Sequence, residues 1–281
     1  MNKRPVSYLQ KDPRWRDKPY RVPGEASTVG SAGCGPSCAA MVIETLTRAG
    51  IARPQGSNGA AQEPGRTYTP EDACRWSVDH GYKALRQGTY YSYFKPQLAA
   101  FGIDCGQLGG GSAYGNPDHP NHKRALELLK EGYYLIACMG KGNWTSTGHF
   151  ILVWWADDID SALAESNRAW PLDGAIARSI HINDPNSTRA DRVQGDPDEF
   201  FRQVKYYWWV DARKYNNEED IMTGKEIYDA LQSYLAEQPA PDWARGELEE
   251  AKRLGITDGS RPMQLIPRYQ AAIMAKRAAE R

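Results

Sequence analysis

The chain has 281 residues, and its 35 lysines and arginines balance 35 aspartates and glutamates, which argues against nucleic acid as the main partner. A hydrophobic content of 41% with 11% aromatics is that of a folded globular protein, long enough for one sizeable domain and a small one. Five cysteines without regular spacing do not build a disulfide framework, and their odd number leaves at least one thiol free, which fits synthesis in a reducing compartment.

The amino terminus, Met1 to Val6, places no apolar stretch behind its charges, so cytoplasmic synthesis without a secretory signal is expected. No segment reaches transmembrane length. Gly33-Cys34-Gly35-Pro36-Ser37-Cys38 opens a helix predicted to run from Cys34 to Ala49: Pro36 suits a first turn, and Met41, Leu46 and Ala49 share a mostly apolar surface. Further helices are predicted over 69–80, 95–100 and 121–131, the first started by Thr69-Pro70-Glu71-Asp72 and stopped at Gly81. Strands follow at 133–139, 150–155, 178–183 and 206–210, where apolar and aromatic residues run together. The glycine-rich 106–115 and polar 157–173 read as surface loops. Gly109-Gly110-Gly111 has no Lys-Ser or Lys-Thr behind it, so no nucleotide site is expected there. Helices first and an antiparallel sheet second define an α+β domain.

Chemistry concentrates at three positions. A thiol at Cys34 meets the unpaired N–H groups and positive dipole end of its helix, which favour the reactive thiolate. A buried, inert helix-capping cysteine is the plainer alternative. His149 stands where the turn 140–147 meets the second strand, and Asp184 ends the third. Nucleophile, base and orienting acid in that order suit a Cys-His-Asp arrangement. Gly33 and Gly148, beside nucleophile and base, are candidate substrate-backbone positions, and Trp144 is placed to cover the cleft. His181 is the rival base. His80 suits a helix C-terminus, Cys38 packs inward, and Asp118, His119 and His122 lie in a loop lacking a cysteine pair, so no metal is expected there, and a Cys-His-Asp hydrolysis requires no cofactor.

Tyr8-Leu9-Gln10, Asp12-Pro13-Arg14-Trp15, Gly33-Cys34-Gly35-Pro36, Gly148-His149-Phe150 and Asn183-Asp184-Pro185 together resemble the papain-like cysteine peptidases related to the double-glycine leader peptidases of bacteriocin exporters. The resemblance covers roughly the first three quarters of the chain. It implies a papain-like fold, with Cys34, His149 and Asp184 as the triad and Gln10 as donor to the oxyanion. The chain departs from the family in the spacing of Gln10 from the cysteine, with residues 14–31 inserted between them.

Residues 1–216 are thus expected to form the peptidase-like domain, and the polar stretch 215–220 to lead into a helical module over 217–281. Ile227, Leu231, Tyr234 and Leu235 share a face of its first helix, Asp242 caps a second that Gly255 ends, and Tyr269, Ile273 and Met274 mark a third. Residues 251–262 with Arg268 and the following helix are similar to S-layer-homology-like wall-binding modules. That similarity implies bacterial wall polymer as a partner, with Arg261 and Arg268 as anion contacts; the alternative is that both arginines neutralise an acidic module that meets a second copy of the chain.

The combined expectation is a phage or prophage endolysin, made in the cytoplasm and acting on peptidoglycan after holin-type release, that cuts a wall amide as endopeptidase or amidase. A cysteine peptidase processing a protein substrate is the alternative enzyme. A non-catalytic wall-binding protein is the alternative of another class.

Overall fold

The computed structural model describes residues 1–54, 66–165, 179–217 and 224–258, with Ser260, Met263, Ala271 and Lys276; side chains are described for these except at 164–165 and 224–227. By internal contacts the chain forms two compact units, Met1–Glu218 and Glu219–Arg281.

The first unit is α+β. Its elements are helices α1 (Val29–Ala32), α2 (Cys34–Arg48), α3 (Pro70–Asp79) and α4 (Phe94–Ala99), strand β1 (Cys105–Gln107), helix α5 (Pro120–Glu131), and strands β2 (Tyr134–Met139) and β3 (His149–Ala156). There follow α6 (Ile159–Glu165), β4 (Ile180–Asn183), α7 (Ala190–Val193), β5 (Gln194–Gly195), α8 (Pro197–Gln203), β6 (Val204–Val210) and α9 (Arg213–Asn217). The six strands make one sheet in the order β1-β6-β2-β3-β4-β5, every pair antiparallel.

Side-chain alternation divides the core between two sheet faces. Ile136, Phe150, Leu152 and Trp208 join Met41 of α2 and Phe94 and Leu98 of α4 in one cluster. Leu135, Ala137, Ile151 and Val153 join Leu126 and Leu129 of α5 and Phe200 of α8 in the other. Helices on both faces explain why β2 is buried at every residue and reads as an unbroken apolar run. α2 is buried from Gly35 to Leu46, a surface apolar enough to anchor the helix that carries Cys34.

Two predicted loops contain regular structure. Gly106 lies in β1 opposite Trp209, where an added Cβ would stand 2.7 Å from the indole, so this glycine marks a close cross-strand approach and not a turn. Within 157–173, residues Ile159–Glu165 form α6, and Ile159 and Ala162 are buried in the second cluster. The short elements α1, α7, β5, α8 and α9 also lay beyond the sequence reading.

In the second unit, α10 spans Gly224–Glu237 and α11 spans Asp242–Arg253. Asp242 is the first residue of α11 and Pro241 its N-cap, with no side-chain cap bond, which corrects the assignment of Asp242 as the cap. Leu231 and Tyr234 are exposed and Trp243 is 81% exposed. The helix expected at Tyr269, Ile273 and Met274 lies outside the described residues, as do Arg261 and Arg268.

Candidate active site

α2 begins at Cys34, and its N-cap Gly33 has no side chain with which to cap the first-turn amides. Those amides point their N–H groups towards the thiol end of the helix. Gly33 itself is required by packing: a Cβ there would lie 2.5 Å from the Val29 carbonyl and 3.2 Å from the Cys74 sulfur. It does not border the cleft beside Cys34, unlike Gly148, where an added Cβ would meet open space.

β3 starts at His149, and Asp184 follows the last residue of β4. Leu152 faces Asn183 in this strand pair, so Asp184 falls diagonally across from His149. His149 Nε2 and Asp184 Oδ1 are 2.7 Å apart, both side chains buried. His149 is also hydrogen-bonded to Cys34, which leaves Nδ1 for the sulfur. Thiol, imidazole and carboxylate therefore form a continuous chain drawn from one helix and two neighbouring strands.

The electrostatics favour charge separation. Burial pushes the Cys34 thiol up, but the hydrogen bond and charge of His149, with the Phe150 and Gly35 amides, hold it below its ordinary value. Burial pushes His149 down, yet bonding to Asp184 and Cys34 carries it up to about 9. Both shifts favour a thiolate beside an imidazolium, and the two titrate as a pair. The other four cysteines are buried, and burial raises each of them.

Asp184 is itself held from two sides. The Asn186 N–H donates to Oδ1 at 2.7 Å, and Arg192 Nε forms an ion pair with Oδ2 at 2.7 Å, without hydrogen-bond alignment. Arg192 and Trp144 clasp one another: the Trp144 indole N–H donates to the Arg192 carbonyl at 3.0 Å, and Arg192 Nη2 donates to the Trp144 carbonyl. Trp144 belongs to the cleft wall, but its indole is 1% exposed and packs edge-on against Phe200. It therefore supports the wall from behind and does not cover the cleft as expected.

Gln10 reaches the site despite its distance in sequence. The inserted segment 14–31 folds back through buried Trp15, Tyr20 and Val29 and returns at Gly30, whose carbonyl accepts from Gln10 Nε2 at 2.9 Å. The Gln10 backbone N–H donates to the Pro185 carbonyl at 2.6 Å, tying it to the residue after Asp184. Gln10, Cys34, Gly148, His149, Asn186 and Arg192 border one cleft of about 580 Å³.

The other candidates are occupied elsewhere. His181 Nε2 pairs with Asp157 Oδ1 at 2.7 Å and its ring lies against Trp154. His119 Nδ1 accepts from the Asn121 N–H at the start of α5, and buried His122 bonds the Tyr207 hydroxyl and the Asn116 carbonyl. His80 stacks on Trp76 at the end of α3. Arg192, Asn186 and the cleft residue Lys11 were not foreseen. No pattern in the sequence singles out an arginine whose acidic partner lies across a loop.

The fold and the site define an α+β protein in which a half-buried Cys34 joins buried His149 and Asp184 at a polar cleft. Comparison with protein-family models, curated proteins and solved structures finds no match to this chain.

Proposed function

We propose that the first unit is a papain-like cysteine hydrolase and that the protein is a peptidoglycan-degrading enzyme of the phage or prophage endolysin type. The observation that carries this reading is the hydrogen-bonded relay from Cys34 through His149 to Asp184, with the thiol at a helix start. The Cys34 thiolate attacks the amide carbonyl carbon and forms the carbon–sulfur bond. The oxyanion that develops is held by the Cys34 backbone N–H and by Gln10, whose second amide hydrogen is not needed by Gly30. The His149 imidazolium gives its proton to the departing amine as the carbon–nitrogen bond breaks. Neutral His149 then takes a proton from water, which adds to the thioester; collapse releases the carboxylic acid and restores the thiolate and imidazolium. Asp184 holds the ring through Nε2 throughout, and no cofactor is required.

The second unit supplies wall attachment in this reading, with Arg261 and Arg268 as its anion contacts. The exposed Leu231, Tyr234 and Trp243 also favour contact with a second copy of the chain.

The test is to incubate the protein and its Cys34→Ala variant with peptidoglycan sacculi from several Gram-positive bacteria and analyse soluble fragments by mass spectrometry. Cys34-dependent fragments with new amino termini are expected. If no sacculus is cut while Cys34 still alkylates rapidly, the wall assignment fails and a protein substrate takes its place. If Cys34 is also inert, the hydrolase itself fails.

A further inference from the structure

Charge around the cleft is arranged unevenly. Among the described residues no aspartate or glutamate contributes to its wall, and the large apolar side chain there, Trp144, is turned into the core. The wall is instead built from hydroxyls and amides, including Ser31, Asn143 and Thr145. The carboxylates adjoining it in sequence are each matched by an arginine: Asp12 with Arg14 at 2.8 Å, Asp184 with Arg192 at 2.7 Å, and Asp191 with Arg189 at 2.6 Å. Lys11 is exposed on the same cleft and has no ion pair among the described residues. The His149 imidazolium is balanced by Cys34 and Asp184, so Lys11 is the charge that leaves the cleft net positive.

We propose that this cleft selects a hydrophilic, acidic peptide, holding a substrate carboxylate on Lys11 beside the amide presented to Cys34. The inference rests on Cys34 being the nucleophile. An aliphatic or aromatic substrate side chain finds little apolar surface to bury against here, whereas a carboxylate finds a cation without a competing ion pair among the described residues. Low-dielectric walls around the cleft focus that field on an entering anion.

Two alkylating probes of similar size, one anionic and one neutral, test this at the sulfur itself. Rates of Cys34 modification by iodoacetate and by iodoacetamide are measured by mass spectrometry on the full chain at low and high salt. The iodoacetate-to-iodoacetamide ratio is expected to fall about two- to fivefold in Lys11→Gln, the size of one exposed charge pair, and further in Lys11→Glu. High salt should erase the difference between variants. An unchanged ratio in both variants, with Cys34 still reactive, overturns the role of Lys11. Failure of both reagents to modify Cys34 in the unaltered protein overturns instead the reading of Cys34 as nucleophile.

Discussion

Asp184→Asn probes the site more sharply than removal of the nucleophile, because the two carboxylate oxygens have different duties. Oδ1 accepts from His149 Nε2 and from the Asn186 N–H, while Oδ2 faces Arg192 Nε. An amide must aim its NH₂ at one of these donors, which costs about 1–3 kcal/mol, and the buried guanidinium loses its counter-charge as well. The rise of His149 from 6.5 to about 9 is worth about 3 kcal/mol in favour of the imidazolium, and Asp184 is the first of its favourable causes. The charge-linked stabilisation is complete below pH 6.5 and is lost as pH rises through about 9. Without the carboxylate, burial dominates and that window closes from its alkaline side. The pH profile of Cys34 alkylation by iodoacetamide should lose its limb near pH 9, and the rate at pH 7 should fall roughly 10- to 100-fold. Asp184→Asn with Arg192→Met should recover stability to urea but not the rate, since it removes the orphaned cation and leaves the imidazole unsupported. A folded Asp184→Asn protein that keeps both the limb near pH 9 and the neutral rate would refute the reasoning.

One equivalent of iodoacetamide at neutral pH should label Cys34 alone, because Cys105 is raised to about 12 and Cys138 to about 11, and Cys38 and Cys74 are raised and buried; peptide mapping that finds any of these labelled first contradicts the assignment. Gly106→Val should destabilise the first unit by about 1–3 kcal/mol through collision with Trp209, and Trp209→Leu in the same chain should restore part of the loss in a urea titration. His122, pushed down to about 4 by burial, stays neutral in the folded chain while the unfolded chain takes up a proton near 6.5. Stability should therefore be intact above pH 6.5 and drop by up to about 3 kcal/mol as pH falls to about 4, and His122→Gln should flatten that part of the curve.

The sequence carried the principal elements because their signals are local. Thr69 accepts from the Asp72 amide and begins α3 as its cap pattern requires, and Gly132 closes α5 in the left-handed conformation. The apolar runs of β2 and β3 announced strands without announcing that helices cover both faces. Cys34, His149 and Asp184 were each legible from their place at an element's end, where side chains leave the ladder and face a cleft. What stayed hidden depends on contacts distant along the chain. Gly106 was read as loop because the indole that requires it lies about a hundred residues on, in β6. Arg192 meets Asp184 only when α7 folds back, and the buried indole of Trp144 follows from that same return.

The first ten residues lace the unit together through single hydrogen bonds. Asn2 Nδ2 donates to the carbonyls of Leu129 and Tyr133, Lys3 N–H to Asn216, and Val6 N–H to Thr45, while Asn183 donates to the Pro5 carbonyl and Gln10 to that of Pro185. These partners lie up to 213 positions further along the chain. Gln10 precedes its Pro185 anchor, and Lys3 its Asn216 anchor, by most of the unit, so the segment is fastened only after those later residues have been made. A growing chain thus holds the Cys34 thiol before its base and its acid have been made and before Gln10 is fastened at Pro185, and the reactive pair comes into being only once β3 is in place.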